Sequence, residues 1–199
     1  MIKNAFFCDI KEDKRMSEFS DEELLNRLRD ESSRNAAFSA VVARYRERLY
    51  WHIRKMVIVH EDADDVLQNT FVKAWKGLET FKGEAKLYTW LYRIATNESI
   101  NFLNQKRSRQ MMPLEDAEYL MSQSLHYDDY FSGDQLQLQL QKAILTLPEK
   151  QRIVFNMKYF EDMPYEEMSE ILGTSVGALK ASYHHAVKKI KDWFELSNE

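Results

Sequence analysis

The sequence predicts an all-α protein, and three observations carry that expectation: the composition, the period of the apolar residues and the positions of the caps. Only 5 Gly and 3 Pro interrupt the 199 residues, while Leu, Met, Glu, Lys, Arg and Ala, which lose little side-chain freedom in a helix, are abundant. Apolar side chains recur at three- and four-residue spacing along most of the chain, which gathers them on one helix face. A content of 44% hydrophobic and 30% charged residues suits one or two small folded domains.

The elements follow in order. Ser20 with Glu23 has the form of a capping box and opens a short helix through Leu24, Leu25 and Leu28. A second helix is expected from about Asn35 to Val59, with Phe38, Val41, Val42, Tyr45, Leu49, His52, Ile53 and Met56 on its rhythm. A third, from about Glu61 to Leu78, sets Val66, Phe71, Ala74, Trp75 and Leu78 largely on one side. After the loop Phe81–Lys86, Thr89 reads as the N-cap of a long helix to about Lys106, with Leu91, Ile94, Ala95 and Phe102 inward. Residues 110–133 lack a sustained period and contain Pro113, Gly133 and the pairs Glu115-Asp116 and Asp128-Asp129, so they read as a flexible acidic tether. A helix resumes from Leu136 to Leu145, and Pro148 starts another to about Phe160. Pro164 opens the next, Gly173 ends it, and Thr174 caps the last.

Four segments result: an N-terminal extension 1–19, a helical domain 20–109, a linker 110–133 and a second helical domain 134–199. Their net charges are +3 for 1–109, −5 for 110–133 and −2 for 134–199, which compose the overall −4. A lone Cys8 excludes an intramolecular disulfide and a zinc finger and fits a reducing compartment. No stretch approaches the ~20 apolar residues of a membrane span, and Met1–Asp9 is too short and too soon acidic for a signal peptide. A cytoplasmic protein with no membrane insertion is expected.

The C-terminal stretch Pro164–Trp193 reads as a helix-turn-helix. In its short first helix Met168, Ile171 and Leu172 face inward, and Glu166 and Glu167 sit in the first turn, where the helix dipole favours them. In the longer second helix Val176, Leu179, Tyr183, Ala186, Val187, Ile190 and Phe194 form one stripe. The opposite stripe collects Gly177, Lys180, Ala181, His184, Lys188 and Lys191 with His185 at its edge, and residues 174–191 hold four lysines and no acid. Small residues let such a helix enter a major groove while lysines meet phosphates. A solvated basic face is the plainer reading of the lysines, and a metal site on His184 and His185 is disfavoured because adjacent helical residues diverge. No metal or cofactor is expected.

Two further features lie in the N-terminal domain. Glu61-Asp62-Ala63-Asp64-Asp65 is the densest acidic cluster; it suits a helix start or a protein-binding face, and a two-metal nuclease would need partners that are missing nearby. No catalytic residue is assigned. Trp90, Arg93, Asn97 and Asn104 share a helix face, Asn101 lies beside them, and the helix ends at Lys106-Arg107-Ser108-Arg109. Planar and amide side chains leading to a basic cluster suit single-stranded or melted DNA. Trp90 also suits a core position.

With these residues in view, the chain resembles the extracytoplasmic-function (ECF) sigma factors of bacterial RNA polymerase. Asp62-Ala63-Asp64-Asp65-Val66-Leu67-Gln68-Asn69-Thr70-Phe71, Phe71-Val72-Lys73-Ala74-Trp75, and Phe81-Lys82-Gly83 through Thr89-Trp90-Leu91-Tyr92-Arg93-Ile94-Ala95-Thr96-Asn97 resemble their domain two. Leu147-Pro148-Glu149-Lys150-Gln151-Arg152, Tyr165-Glu166-Glu167-Met168 and Gly177-Ala178-Leu179-Lys180 resemble their domain four. The likeness covers about residues 20–109 and 134–195, and Met1–Arg15 lies outside it, read as an alternative start or a disordered extension.

The resemblance implies that Asp62, Asp64, Asp65, Gln68 and Phe71 bind the β′ clamp helices of core polymerase, with the β flap as a second contact. It implies that Lys82, Gly83, Lys86, Arg93, Asn97, Asn101, Lys106 and Arg107 serve the −10 element, where a flipped base is captured. Ser175, Gly177, Lys180, Ala181, His184, His185 and Lys188 then read the −35 element. Promoter DNA, core polymerase and an anti-sigma factor are the implied partners. Ala178-Leu179-Lys180-Ala181-Ser182 departs from the usual Thr-Val-Lys/Arg-Ser-Arg, and Lys86-Leu87 from a small residue with an aromatic, so neither the −35 sequence nor the captured base follows from the likeness. A stand-alone helix-turn-helix regulator is the alternative reading.

Overall fold

The computed structural model describes residues 19–81, 83, 85–109, 121, 123, 125 and 135–197. Among them the regular elements are helices: α1 (Asp21–Arg29), α2 (Arg34–Val57), α3 (His60–Gly77), α4 (Leu87–Arg109), α5 (Gln135–Leu145), α6 (Glu149–Tyr159), α7 (Tyr165–Leu172) and α8 (Val176–Ser197). The all-α expectation therefore stands. The extension up to residue 18 and nearly all of the acidic linker lie outside the described residues.

Ser20 closes the capping box as expected: its Oγ accepts from the Glu23 N–H at 3.2 Å, and the Glu23 carboxylate accepts from the Ser20 N–H at 2.7 Å. The short helix is then held to α2 by side chains. Asp21 accepts from the Tyr45 hydroxyl at 2.7 Å and from the Arg44 guanidinium at 2.9 Å, and the Arg27 guanidinium lies 4.2 Å from the Phe19 ring centroid. Burial, with Asp21 second, pushes the Tyr45 hydroxyl well above the usual tyrosine range.

The 24-residue α2 runs through the middle of the N-terminal half, packed by α1, α3 and α4. Leu49 and Ile53 are fully buried on it, and Phe38 meets Phe71 edge-on at 6.3 Å and Trp75 at 5.0 Å. The helix stops at Ile58, a β-branched residue at φ 67. That conformation costs of order 1–3 kcal/mol, and packing holds it: Ile58 is 1% exposed and clusters with Leu125, Leu138 and Leu145.

Two start signals fall elsewhere than the sequence suggests. Thr89 does not cap α4, which begins at Leu87; Thr89 is buried within the helix. Nor does Thr174 cap α8. Ser175 does, its Oγ accepting from the Ala178 N–H at 3.3 Å, while the Thr174 hydroxyl turns back to the Leu172 carbonyl. Pro148 and Pro164 precede α6 and α7 in extended backbone, and Gly173 ends α7 in the left-handed region at φ 62.

In the C-terminal half Ala143, Ile144, Leu147, Phe155, Ala186 and Ile190 form a core under α5, α6 and α8. A second face of this half continues the N-terminal core. Ile153, Val154 and Met157 of α6, Met163 of the loop before α7, Met168 and Ile171 of α7 and Leu179 of α8 share one apolar cluster with residues of α1–α4. The halves thus close on each other, α6 against α2 and α7 against α4. Sequence periodicity gives two amphipathic sets of helices and says nothing of this contact.

Candidate functional site

Three surfaces correspond to the three sets of sequence-assigned residues. On α8, burying Leu179, Ala186 and Ile190 turns the opposite stripe outward. Ser175, Gly177, Lys180, Ala181, His184, His185 and Lys188 are all exposed. A Cβ on Gly177 would meet nothing within 4 Å, so the start of the stripe is open to close approach. The Lys180 ammonium lies 5.6 Å from the Tyr165 ring centroid, which places it beside the first turn of α7. The His184 and His185 rings diverge, centroids 6.1 Å apart. Among the described residues no group of three or more His, Cys, Asp or Glu is placed to hold a metal ion.

The α4 set divides. Arg93, Asn97 and Asn101 are exposed, and Arg107, half-buried, donates to the Asn104 amide oxygen at 3.1 Å. Helix period puts Arg93, Asn97, Asn104 and Arg107 on one stripe and Lys106 on the opposite side. Lys106 instead reaches the start of α3, where its ammonium donates to Asp62 at 2.6 Å. Trp90 is half-buried, stacked on Phe81 at 4.5 Å, and a Cβ on Gly77 would lie 3.1 Å from its ring. Its indole secures the loop after α3. Gly83 in that loop sits at φ 79 and is exposed, whereas Lys82 lies outside the described residues.

On α3, Asp64 and Asp65 are exposed, Asp62 and Gln68 half-buried. His60 lies 3.5 Å from Asp64 in an i,i+4 pair. Phe71 requires a correction: it is 4% exposed and packed on Phe38, so it supports this surface from beneath and presents no ring to a partner. The cause is its place on the buried stripe with Ala63, Val66, Leu67, Thr70 and Ala74.

The sequence reading missed a polar cluster where the halves meet. His52 on α2 is 1% exposed; its Nδ1 lies 2.9 Å from the Glu161 carboxylate and its Nε2 2.9 Å from the Thr96 hydroxyl. The Thr96 hydroxyl donates to the Tyr92 carbonyl at 2.8 Å, and the Tyr92 ring lies 4.8 Å from the imidazole. Burial works to raise the Glu161 carboxyl, but His52, Lys55 and Tyr92 together hold it below the usual carboxylate range. Burial and then Glu161 push Tyr92 far up and Tyr88 up to about 12. His52 gave only a periodic position on a helix, and Glu161, in the loop after α6, gave no local signal. Beside this cluster the Asn156 amide donates to the Lys55 carbonyl at 3.2 Å, Lys86 lies 3.4 Å from Glu167, and the Arg93 guanidinium donates to the Glu170 carbonyl.

Residues 41–109 match sigma-70 region 2 and residues 137–190 match sigma-70 region 4, together more than half of the chain. The chain is 29% identical over 183 residues to the ECF RNA polymerase sigma-E factor of Haemophilus influenzae, covering 88% of this chain and 95% of that one. It is 28% identical over 163 residues to the ECF RNA polymerase sigma factor SigW of Bacillus subtilis, covering 78% and 87%. Its fold is that of CnrH solved in complex with the cytosolic domain of CnrY, at TM-score 0.63, 23% identity and coverage of 88% and 97%. The sigma factor RpoE in complex with the anti-sigma factor NepR from Bartonella quintana matches at TM-score 0.58 and 21% identity, covering 79% and 96%. With both region models matched in order and relatives aligned across nearly their whole length, the chain belongs to the sigma-70 family as an RNA polymerase sigma factor of the ECF group.

Proposed function

We propose that this sigma factor docks on core RNA polymerase through α3, reads the −10 element with the exposed stripe of α4 and the loop before it, and reads the −35 element with α8. The observation that carries the reading is the α8 stripe: seven assigned positions are all exposed on a helix whose other side is core, and residues 174–191 bear lysines without acids. Phosphate contacts fall to Lys180 and Lys188, and base contacts to His184, His185 and the small residues near the helix start.

On α3 the docking face is Asp64 and Asp65 with Gln68; Asp62 shares its charge with Lys106. The protein acts by binding and positioning, and melted DNA supplies the unstacked base. The same reading divides the chain into an extension 1–19, region 2 over 20–109, a linker 110–133 and region 4 over 134–199. One structural neighbour was solved with the anti-sigma factor NepR and another with the cytosolic domain of CnrY, which supports an anti-sigma partner here. No helix among the described residues is long and apolar enough to cross a membrane.

Run-off transcription with purified core polymerase on a panel of promoters tests this. The wild-type chain gives a promoter-dependent transcript, Lys180→Ala with His184→Ala reduces it about tenfold or more, and Asp64→Ala with Asp65→Ala lowers polymerase affinity while leaving stability unchanged. Tight, polymerase-independent operator binding with no transcript on any promoter would overturn the reading in favour of a stand-alone regulator.

A further inference from the structure

We propose that Arg29, at the end of α1, is a further DNA-binding residue: its guanidinium stands against the loop before α4 and takes a backbone phosphate of the strand whose base that loop captures. The contact presupposes that the loop serves the −10 element, as proposed above. Helical period marks Arg29 only as a solvated cation, and α1 precedes residues 41–109, which match sigma-70 region 2.

Contacts on both sides fix the geometry. At the end of α1 the carbonyls that lack intrahelical partners are taken up locally: the Ser33 hydroxyl donates to the Arg27 carbonyl at 2.9 Å, and the Arg34 Nε–H donates to the Leu28 carbonyl at 3.1 Å. Leu28, next to Arg29, is buried, and Asp21 ties the helix to α2. Arg29 is therefore carried on a fixed helix end. Across from it, the Thr80 N–H donates to the Gly77 carbonyl at 3.1 Å, the Phe81 N–H donates to the Leu78 carbonyl at 3.3 Å, and the Phe81 ring stacks on Trp90. Between these anchored elements, Nη2 of Arg29 lies 3.0 Å from the position that a Cβ on Gly83 would take. Gly83 is exposed at φ 79 and has no side chain, so the guanidinium lies against the loop backbone itself.

Charge and donors name the ligand. Arg29 is exposed, and a guanidinium presents several N–H donors in a fixed fork, so a contact with the loop leaves others for an oxygen ligand. Asp30, the adjoining acid, is engaged by the turn after α1: its carboxylate accepts from the Ser32 N–H at 3.2 Å, the Ser32 hydroxyl at 2.7 Å and the Ser33 hydroxyl at 3.0 Å. A captured base is rotated out of its stack about the backbone, which brings the flanking phosphates to the rim of the capturing loop. There a guanidinium offers charge and paired N–H groups, and it positions the strand without reading its sequence.

The test uses the full chain assembled with core RNA polymerase, on the promoter that gives the strongest run-off transcript. Two labelled probes derive from it: a fork that carries the −10 element, located by permanganate mapping, as single strand, and a duplex that ends upstream of that element. Dissociation constants are measured across a salt series. Arg29→Gln, which keeps a hydrogen-bonding side chain and removes the charge, is expected to bind the fork about fourfold more weakly at roughly 0.15 M salt, and its salt slope falls by about 0.7, the share of one single-strand phosphate contact. Arg29→Lys keeps the wild-type slope, because the slope counts charge. All of these chains bind the upstream duplex equally. Should Arg29→Gln fail to fold by circular dichroism, Arg29→Ala gives the same loss. An unchanged slope, a loss shared by both probes, or a slope that lysine does not keep overturns the phosphate contact. Asn97→Ala on the same fork tests the −10 reading separately. If it weakens the fork while Arg29→Gln does not, the role of Arg29 is overturned and the −10 reading stands; if neither variant weakens the fork, both are overturned.

Discussion

Replacing Gly173 isolates a purely conformational term in the helix-turn-helix. Gly173 ends α7 at φ 62 and ψ 31, and its N–H donates to the Ser169 carbonyl at 2.9 Å. A Cβ there would meet nothing within 4 Å, so Gly173→Ala loses no packing and gains no clash. What remains is the left-handed backbone, about 1–2 kcal/mol for a residue with a Cβ, less about 0.4–1 kcal/mol from the stiffer unfolded chain. The net is about 1 kcal/mol of destabilisation, or a fall in Tm of about 2–4 °C for a chain of this size. Gly173→Asn falls between glycine and alanine because asparagine tolerates this region. Urea unfolding followed by circular dichroism measures both variants. A loss above about 3 kcal/mol for alanine would mean that the substituted side chain meets atoms, and asparagine proving worse than alanine would mean that φ is not the controlling term; either result refutes the reasoning.

Phe71→Ala removes a buried ring at the centre of the N-terminal core and is expected to cost about 3–5 kcal/mol; chemical denaturation checks this, and a stable Phe71→Ala that merely loses polymerase binding would restore an exposed role. Closure of the halves is expected to weaken in acid. Glu161 is held below the carboxylate range by His52, Lys55 and Tyr92, so its stabilisation is present above the ordinary carboxylate pKa and is lost as pH falls through the lowered folded value. A radius of gyration that rises in acid for the wild type and hardly changes with pH for Glu161→Gln checks this.

Some elements could be read from local sequence because their causes are local. The Ser20–Glu23 box, the Pro148 and Pro164 starts and the Gly173 stop each depend on a few neighbouring residues, and each sits where the pattern places it. Thr89 and Thr174 mislead because a threonine before a helix is a cap only when its side chain is free to turn back; Thr89 is packed inside α4, and Ser175 holds the turn before α8. The exposed stripe of α8 also follows from period alone, since burying Leu179, Ala186 and Ile190 fixes where Lys180, His184 and Lys188 point.

By itself, then, the sequence determined the all-helical class, two amphipathic sets of helices, the caps that depend on a few neighbours, and the motifs that mark an ECF sigma factor. Tertiary structure decided how those pieces meet. Phe71 turned from a surface candidate to core because its neighbours on α3 buried that stripe. Lys106 paired with Asp62 across 44 residues, and His52 met Glu161 across 109. Pairings at such separations have no local signature: helix period tells which face a side chain shares, and only the packing of one helix on another tells what that face meets.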